Sequence, residues 1–381
     1  MPAYALVRGG GEMNSGQIGA DVFRLWGQRA GCTRMVVSKK ALASQECHRS
    51  LVPRDPALVV FLQVLCVFLC ALPVFLWGPQ VMADSYPDRP IRLIVPFAAG
   101  TVTDQTGRYI GQKMTIALGQ NVIVDNRPGA NGVIGAQAAA TATADGYTIV
   151  IGTSSTNAAN VSLYKKLPYD AMNDFAPISK LVIGGQVLVV NPALGVKSVQ
   201  ELLSLARAKP GQLTFGWGNS TSQVGMVHFK ALAAIEMTGV PYKGIPAALN
   251  DILGGRIDMA IGDSVTVMPL VKSNRLRALA ITTPKRISVF PDLPTVAEQG
   301  LPGYEIAGWL SLYAPAKTPV PTINKLNTVV VQALSTPEAA EFFGRSGWDV
   351  VPSTPGELGA YTRLEIQRWS RLIQSAGIVP E

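Results

Sequence analysis

The stretch IRLIVPFAAGTVTD, residues 91–104, contains the decision about fold in miniature. Ile91–Phe97 is a short β-branched apolar run with few polar interruptions, the composition of a strand buried on both faces of a parallel sheet. A small turn bearing Gly100 follows, and then a helical pattern, TDQTGRYIGQKMTIALG, that stops on Gly119. NVIVDN (121–126) reads as the next strand, NGVIGAQAAATATADG (131–146) as a helix and YTIVIG (147–152) as a third strand. Strands alternating with helices over connections of a few residues predict a parallel α/β sheet.

The same grammar restarts downstream. QVLVVNP (186–192) is a strand, and SVQELLSLARAKPG (198–211) a helix with Ser198 as N-cap, Glu201 three residues on and Pro-Gly as its stop. Strands at 213–218, 237–243, 257–263 and 276–283 then alternate with helices through 222–234, 246–255 and 267–274. Near Gly308 another strand, GWLSLYAP, opens a third stretch with helices at 320–334 and 336–347, then WDVVP. The final helix, ELGAYTRLEIQRWSRLIQSAG, sets Leu358, Tyr361, Leu364, Trp369, Leu372 and Ala376 mostly three or four residues apart, predicting one buried face. The expected division is residues 84–188 plus 304–381 as one lobe and 189–303 as a second. Chain crossings near 185–190 and 303–310 would let the lobes rotate as a hinged clamp.

The first 83 residues differ from everything after them. ALVVFLQVLCVFLCALPVFLW, residues 57–77, carries no charge; Lys39, Lys40, Arg49 and Arg54 precede it, and Val81-Met82-Ala83 follows. Basic, apolar and small residues in that order predict a secretory signal cleaved after export, with Met35 an alternative start. A retained anchor is the other reading of the same run, which is long enough to span a bilayer. All four cysteines lie in this leader, so the remainder uses neither disulfides nor thiolates. The leader holds eight Lys/Arg and four Asp/Glu of the chain's 33 and 25. What remains carries an ordinary mild positive charge and no basic patch, which argues against a nucleic-acid partner.

Catalytic chemistry is sparse. His228 is the one histidine after the leader and sits in an apolar helix, VGMVHFKAL, where core packing is its ordinary role. The sequence has no HExxH, CxxC, EF-hand, GxSxG, Walker or GxGxxG pattern. A serine nucleophile would lack a base. The expectation is therefore a protein without cofactor or metal, and not an enzyme.

What converges instead is a set of loops after strands: PFAAGTVTD (96–104), GTSSTNAAN (152–160), GWGNSTSQ (216–223) and GDSVTVMP (262–269). All stand at C-terminal strand ends, where open α/β sheets place ligands. All offer Gly, Ser, Thr or Asn, and three lead into helix N-termini, whose free N–H groups attract anions. None brings Arg or Lys, so a carboxylate would be held by neutral dipoles and waters. Asp104 and Asp263 read as loop-ordering or N-cap residues, or as acceptors for waters or for a ligand's amine or amide.

These residues also carry a resemblance. YPDRPIRLIVPFAAGTVTD, VIVDNRPGANGVIGA, DGYTIVIGTS, LYKKLPYD, DFAPIS, VPYKG, GGRIDMAIGD, LRALAIT, FPDLPTVAEQGLPGYE and APAKTP, in that order from Tyr86, resemble the Bug (TctC-type) proteins. Those are the periplasmic substrate-binding receptors of tripartite tricarboxylate transporters. The resemblance implies a two-lobed periplasmic binding fold of the type II kind, each lobe a central β-sheet flanked by helices, closing on a small carboxylate: an aliphatic di- or tricarboxylate, an amino-acid-like acid or an aromatic acid. It further implies a monomer that delivers to one large and one small membrane subunit; a sensor feeding a signalling partner, or an enzyme on the same scaffold, are the alternatives. The family's P-F-x-x-G-G-x-x-D loop falls on Pro96, Phe97, Gly100 and Asp104, with Thr101 in place of its second glycine. Its T-x-A-x-N stretch falls on Thr156, Asn157, Ala158 and Asn160, just after Thr153 and Ser154. Ser220 and Ser222 match its serine loop, with Gln223 where histidine is usual, and Asp263 with Ser264 completes the expected ligand-binding set.

Overall fold

Pro96 ends the first strand because it has no N–H to extend a ladder, and the chain turns there into the loop that opens the first long helix. The computed structural model describes residues 86–381 and positions 57, 60 and 61. Apart from those three positions, the expected leader, its apolar run and its cleavage site lie outside the described residues. No described helix is long and apolar enough to cross a membrane.

β1 (Ile91–Val95) leads into α1 (Val102–Leu118), which Thr101 caps by accepting from the Asp104 N–H and which Gly119 closes at φ 68°. β2 (Val122–Asn126), α2 (Val133–Ala140) and β3 (Thr148–Thr153) follow, and β1 pairs in parallel with both β2 and β3. α2 ends well before residue 146. At Thr141 the alanine run gives way to alternating threonines, and the Thr141 hydroxyl bonds back to the Gln137 carbonyl, a local bond that competes with helix continuation.

After a tight helical turn at Ser155–Ala159 and α3 (Asn160–Leu163), β4 runs unbroken from Phe175 to Val190. Only its second half was readable as a strand. The first half contains Pro177, Lys180 and Gly184–Gly185, and its register against β9 (Ala307–Pro315) shifts twice, so period-2 alternation is lost. β4 is central to both half-sheets. Residues 175–185 pair antiparallel with β9, and Val182–Gly184 with β10 (Trp348–Val350). Residues 186–190 lie between β7 (Met259–Asp263) and β8 (Arg277–Ile281), again antiparallel. The order is β2-β1-β3-β9-β4-β7-β5-β6, with β5 (Thr214–Trp217) parallel to β6 (Thr238–Pro241) and to β7. The α/β architecture with two sheet regions is as expected; the sheets are mixed where parallel pairing was expected, because β9 and β4 run against their neighbours.

Helices α4 (Val199–Ala208), α5 (Ser220–Ala233), α6 (Ile245–Leu253) and α7 (Ser264–Lys272) flank the second sheet region. α8 (Val320–Leu334), α9 (Pro337–Gly344) and α10 (Pro355–Ser375) return to the first. Ser198 caps α4, but the Glu201 carboxylate reaches the Lys197 N–H rather than that of Ser198. A complete reciprocal capping box stands instead at Thr354 and Glu357, at the head of α10. The buried face of α10 is Leu358, Thr362, Glu365, Trp369 and Ile373; Leu364, expected inside, is 63% exposed. The four-residue step to Glu365 explains the rotation, because that acid, and not a leucine, turns inward.

The chain crosses between sheet regions twice, in β4 at Gly184–Gln186 and again on the way into β9. Buried Thr282 ties the two crossings together: its hydroxyl donates to the Ile306 carbonyl at 2.6 Å, and its backbone bonds to Gln186 and Ile306.

Candidate functional site

Four helix starts and one helical turn converge on a single cavity of about 30 Å³. α1 contributes Thr101, Val102 and Thr103; the turn after β3 contributes Thr153, Ser154 and Ser155. From the second sheet region come Asn219 and Thr221 at the start of α5, Gly244 and Ile245 at α6, and Asp263 at α7. The first N–H groups of a helix have no intrahelical acceptor and carry the positive end of its dipole. Within α1, the Asp104 N–H is capped by Thr101, which leaves those of Val102 and Thr103 available to a guest. Phe97, Trp309 and Trp348 supply the apolar walls.

The two sides already touch through hydroxyls. Thr221 Oγ1 lies 2.8 Å from Ser154 Oγ and 3.1 Å from Ser155 Oγ, and the Thr221 N–H donates to Ser155. Ser220 donates to Asn160 Oδ1, and Ser264 to the Ser346 carbonyl, while Trp348 Nε1 donates to Ser264 Oγ at 3.1 Å. Trp348 can lie flat there because Gly184 is beneath it; a Cβ on that glycine would come within 2.5 Å of the indole. Gly218 is required for a different reason. A Cβ there would stand 2.1 Å from the Gly244 carbonyl carbon, so only glycine lets the loops before α5 and α6 meet.

Of the residues expected to form the site, Phe97, Thr101, Thr153, Ser154 and Asp263 line the cavity. The others stand behind it. Gly100 takes φ 82° and gives its N–H to Asp104 at 3.0 Å. The Thr101 hydroxyl donates to the Ala98 carbonyl at 2.8 Å, so threonine fits where the resembled loop pattern has glycine and spends its hydroxyl within the loop. Asp104 faces inward. Burial opposes its charge, but Arg108, the Gly100 N–H and Asn126 hold its carboxyl below the usual range. Thr156 exchanges hydrogen bonds with Thr153 and donates to Asn157 Oδ1, leaving Asn157 Nδ2 buried without a partner. Ser222 closes the α5 capping box with Asn219, Ser220 and Ser264 bridge the two sides, and Gln223 lies outside the lining.

Asp263 is the one ionisable side chain among the lining residues. Burial pushes its carboxyl up to about 6, against the lowering effect of Gln186 Nε2, which donates to Oδ1 at 3.3 Å. His228 stacks on Tyr304, its ring centroid 5.5 Å away, outside the cavity, and burial lowers its pKa. Among the described residues no three His, Cys, Asp or Glu side chains gather as a metal site requires.

Sequence reading missed Gln186, Trp309, Trp348 and the Gly244–Ile245 loop. Pro246, at the first helical positions after Gly244, was a usable signal for this helix start. The tryptophans gave none, since an aromatic in an apolar strand looks the same whether it meets core or cleft. Trp309 is fixed from behind: buried Glu365 accepts from Trp309 Nε1 at 2.8 Å and from Trp369 Nε1 at 3.1 Å.

The sequence pattern of the tripartite tricarboxylate transporter family receptors matches residues 107–378. The protein BugT of Bordetella pertussis is 36% identical over 321 residues, covering 83% of this chain and 97% of BugT. Among solved structures, R. palustris Rpa4515 with adipate is 35% identical with a TM-score of 0.76, covering 78% of this chain and all of that one. MatC from Rhodopseudomonas palustris with bound malate is 30% identical with a TM-score of 0.72, covering 76% and 100%.

Proposed function

Because the chain belongs to the tripartite tricarboxylate transporter receptor family, a family of solute-binding receptors, we propose that its cleft captures a small carboxylate in the periplasm for delivery to a membrane transporter. The observation that carries this reading is the convergence of helix N-termini from both sheet regions on a cavity without a cation. Such a site holds an anion by N–H groups and hydroxyls, which suits one that must also release it. The adipate and malate held by the two relatives fit that chemistry.

In this proposal residues 84–188 with 304–381 and residues 189–303 act as two lobes rotating about the crossings near Gln186 and Ile306. About 30 Å³ of cavity is room for roughly two waters, so a dicarboxylate enters when the lobes part, and they close over it because the ligand binds the closed form better. Phe97, Thr101, Thr153, Ser154 and Asp263 are the ligand contacts retained from the sequence, joined by Val102, Thr103, Thr221 and Trp309. The closed receptor is then recognised by one large and one small membrane subunit, and the leader directs export.

A thermal-shift panel tests the reading, since bound ligand stabilises the native state by mass action. Adipate, malate, benzoate and glutamate are compared with the uncharged adipamide. At least one carboxylate is expected to raise Tm in proportion to the logarithm of its concentration while adipamide does not. A response to adipamide with none to any carboxylate overturns the proposal.

A further inference from the structure

Trp348 is a wall shared by two cavities. The cleft cavity measures about 30 Å³, and beside it lies another of about 170 Å³. Val102 and Trp348 line both. Two helix starts pass from one to the other: Thr101–Thr103 and Asp263 line the cleft, while Gln105, Thr106 and Val265 line its neighbour. The two differ in chemistry. The cleft offers helix N–H groups and hydroxyls; the second cavity offers the apolar surfaces of Val265, Phe342 and Phe343, with Arg345 among its lining. The Arg345 guanidinium pairs with Glu341, but at 72% exposure such a pair is weak and leaves the cation open to another carboxylate. A cavity of about 150 Å³ admits a benzene-sized group, so the second cavity has room for a ring or a short chain, and the cleft cavity has not.

We propose that Trp348 is the residue that sets ligand length: its indole keeps the cleft short by shutting it off from the second cavity. The inference rests on the carboxylate-receptor reading and assigns a selectivity to one side chain. Three contacts hold the indole in place. It is 1% exposed and lies over Gly184, where a Cβ would come within 2.5 Å of it, and its far edge meets Gly308. Its Nε1 donates to Ser264 Oγ at 3.1 Å, and the Ser264 hydroxyl in turn donates to the Ser346 carbonyl. That bond joins β10 of one sheet region to α7 of the other, so the wall is complete when the two sides are together. Val102 contributes only a short branched side chain to the same wall. With a smaller residue at 348 the two cavities become one, running from the helix starts to Arg345.

Calorimetric titration of two carboxylate series of rising length tests this: succinate to sebacate, and benzoate to 4-phenylbutyrate. In the parent, affinity is expected to peak at one length and to fall about tenfold or more two methylenes beyond it. In Trp348→Leu the peak moves at least two methylenes longer, and the longer members gain about fourfold per added methylene relative to the parent's best, the transfer value of a buried CH₂. Trp348→Phe gives a smaller shift of the same sign and serves if the leucine variant does not fold. Val265→Trp fills the second cavity from its rim. Added to Trp348→Leu it is expected to restore the parent's profile, and alone to leave that profile unchanged. If Trp348→Leu lowers affinity equally at every length, or if Val265→Trp alone shortens the parent's optimum, the inference fails and the carboxylate reading stands. If no member of either series binds the parent, both fail.

Discussion

At the scale of single residues, Asp263 has the largest consequence. Its carboxyl is raised to about 6 from an unfolded value near 3.8, so between those two pH values the native state holds a proton that the unfolded chain has released. The stability this contributes is complete below pH 3.8 and is lost as pH rises through about 6. Asp263→Asn is therefore expected to be more stable than the parent at pH 7.5, by up to about 3 kcal/mol, with the difference vanishing near pH 4. Urea unfolding of both proteins at the two pH values reads this directly, and equal stability at pH 7.5 would refute it. Asp104 shows why residue roles were only partly legible. Both aspartates end apolar or small-residue loops and look alike in sequence, yet Arg108 one helical turn on from Asp104 takes that acid out of the cleft. That spacing could have been read; the Gln186 contact to Asp263, bridging 77 positions, could not.

At the scale of elements, α10 illustrates what periodicity can and cannot deliver. Its existence and length were evident, because a 3.6-residue pattern over five turns has few alternatives. Its rotation was not, because the pattern counts apolar residues and the inward position is filled by Glu365. That acid joins the helix to β9 by accepting from both Trp309 and Trp369. Glu365→Leu leaves two buried indole N–H groups unpaired and is expected to cost about 2–5 kcal/mol in thermal or urea unfolding, and to weaken ligand binding because Trp309 loses its fixed edge. Glu365→Gln keeps one acceptor oxygen and should lose less. The capping box at the head of the same helix makes a smaller claim: Thr354→Ala is expected to lower stability by about 1 kcal/mol without altering affinity. A matching loss of affinity would mean that the start of α10 reaches the cleft. β4 was half-read for the complementary reason: its second half keeps the apolar run of a buried strand, and bulges scramble its first half.

At the scale of the whole molecule, the two sheet regions meet through a few hydroxyl bridges and one indole, and these are expected to set the balance between open and closed forms. Thr221→Val combined with Ser264→Ala removes bridges to Ser154, Ser155, Ser346 and Trp348 without touching either sheet. The double variant should show a larger radius of gyration by small-angle X-ray scattering and weaker ligand binding at unchanged fold; an unchanged radius would mean that the Ser220–Asn160 bond, the Thr221 N–H to Ser155 and the apolar contacts suffice to hold the sides together. The two sheet regions were visible in sequence because strand–helix grammar restarts, but the bridges were not, since serines that cap helices and serines that cross a cleft are the same residues. β4 has one more consequence. A boundary at residue 188 or 189 falls within it, and Gln186–Val190 form the strand on which β7 and β8 are both laid. The segment 189–303 is thus not a transplantable module: excised, it would leave its sheet with a gap in the middle and two unpaired edges, and an evolutionary exchange of second lobes between receptors would have to carry the end of β4 along with it.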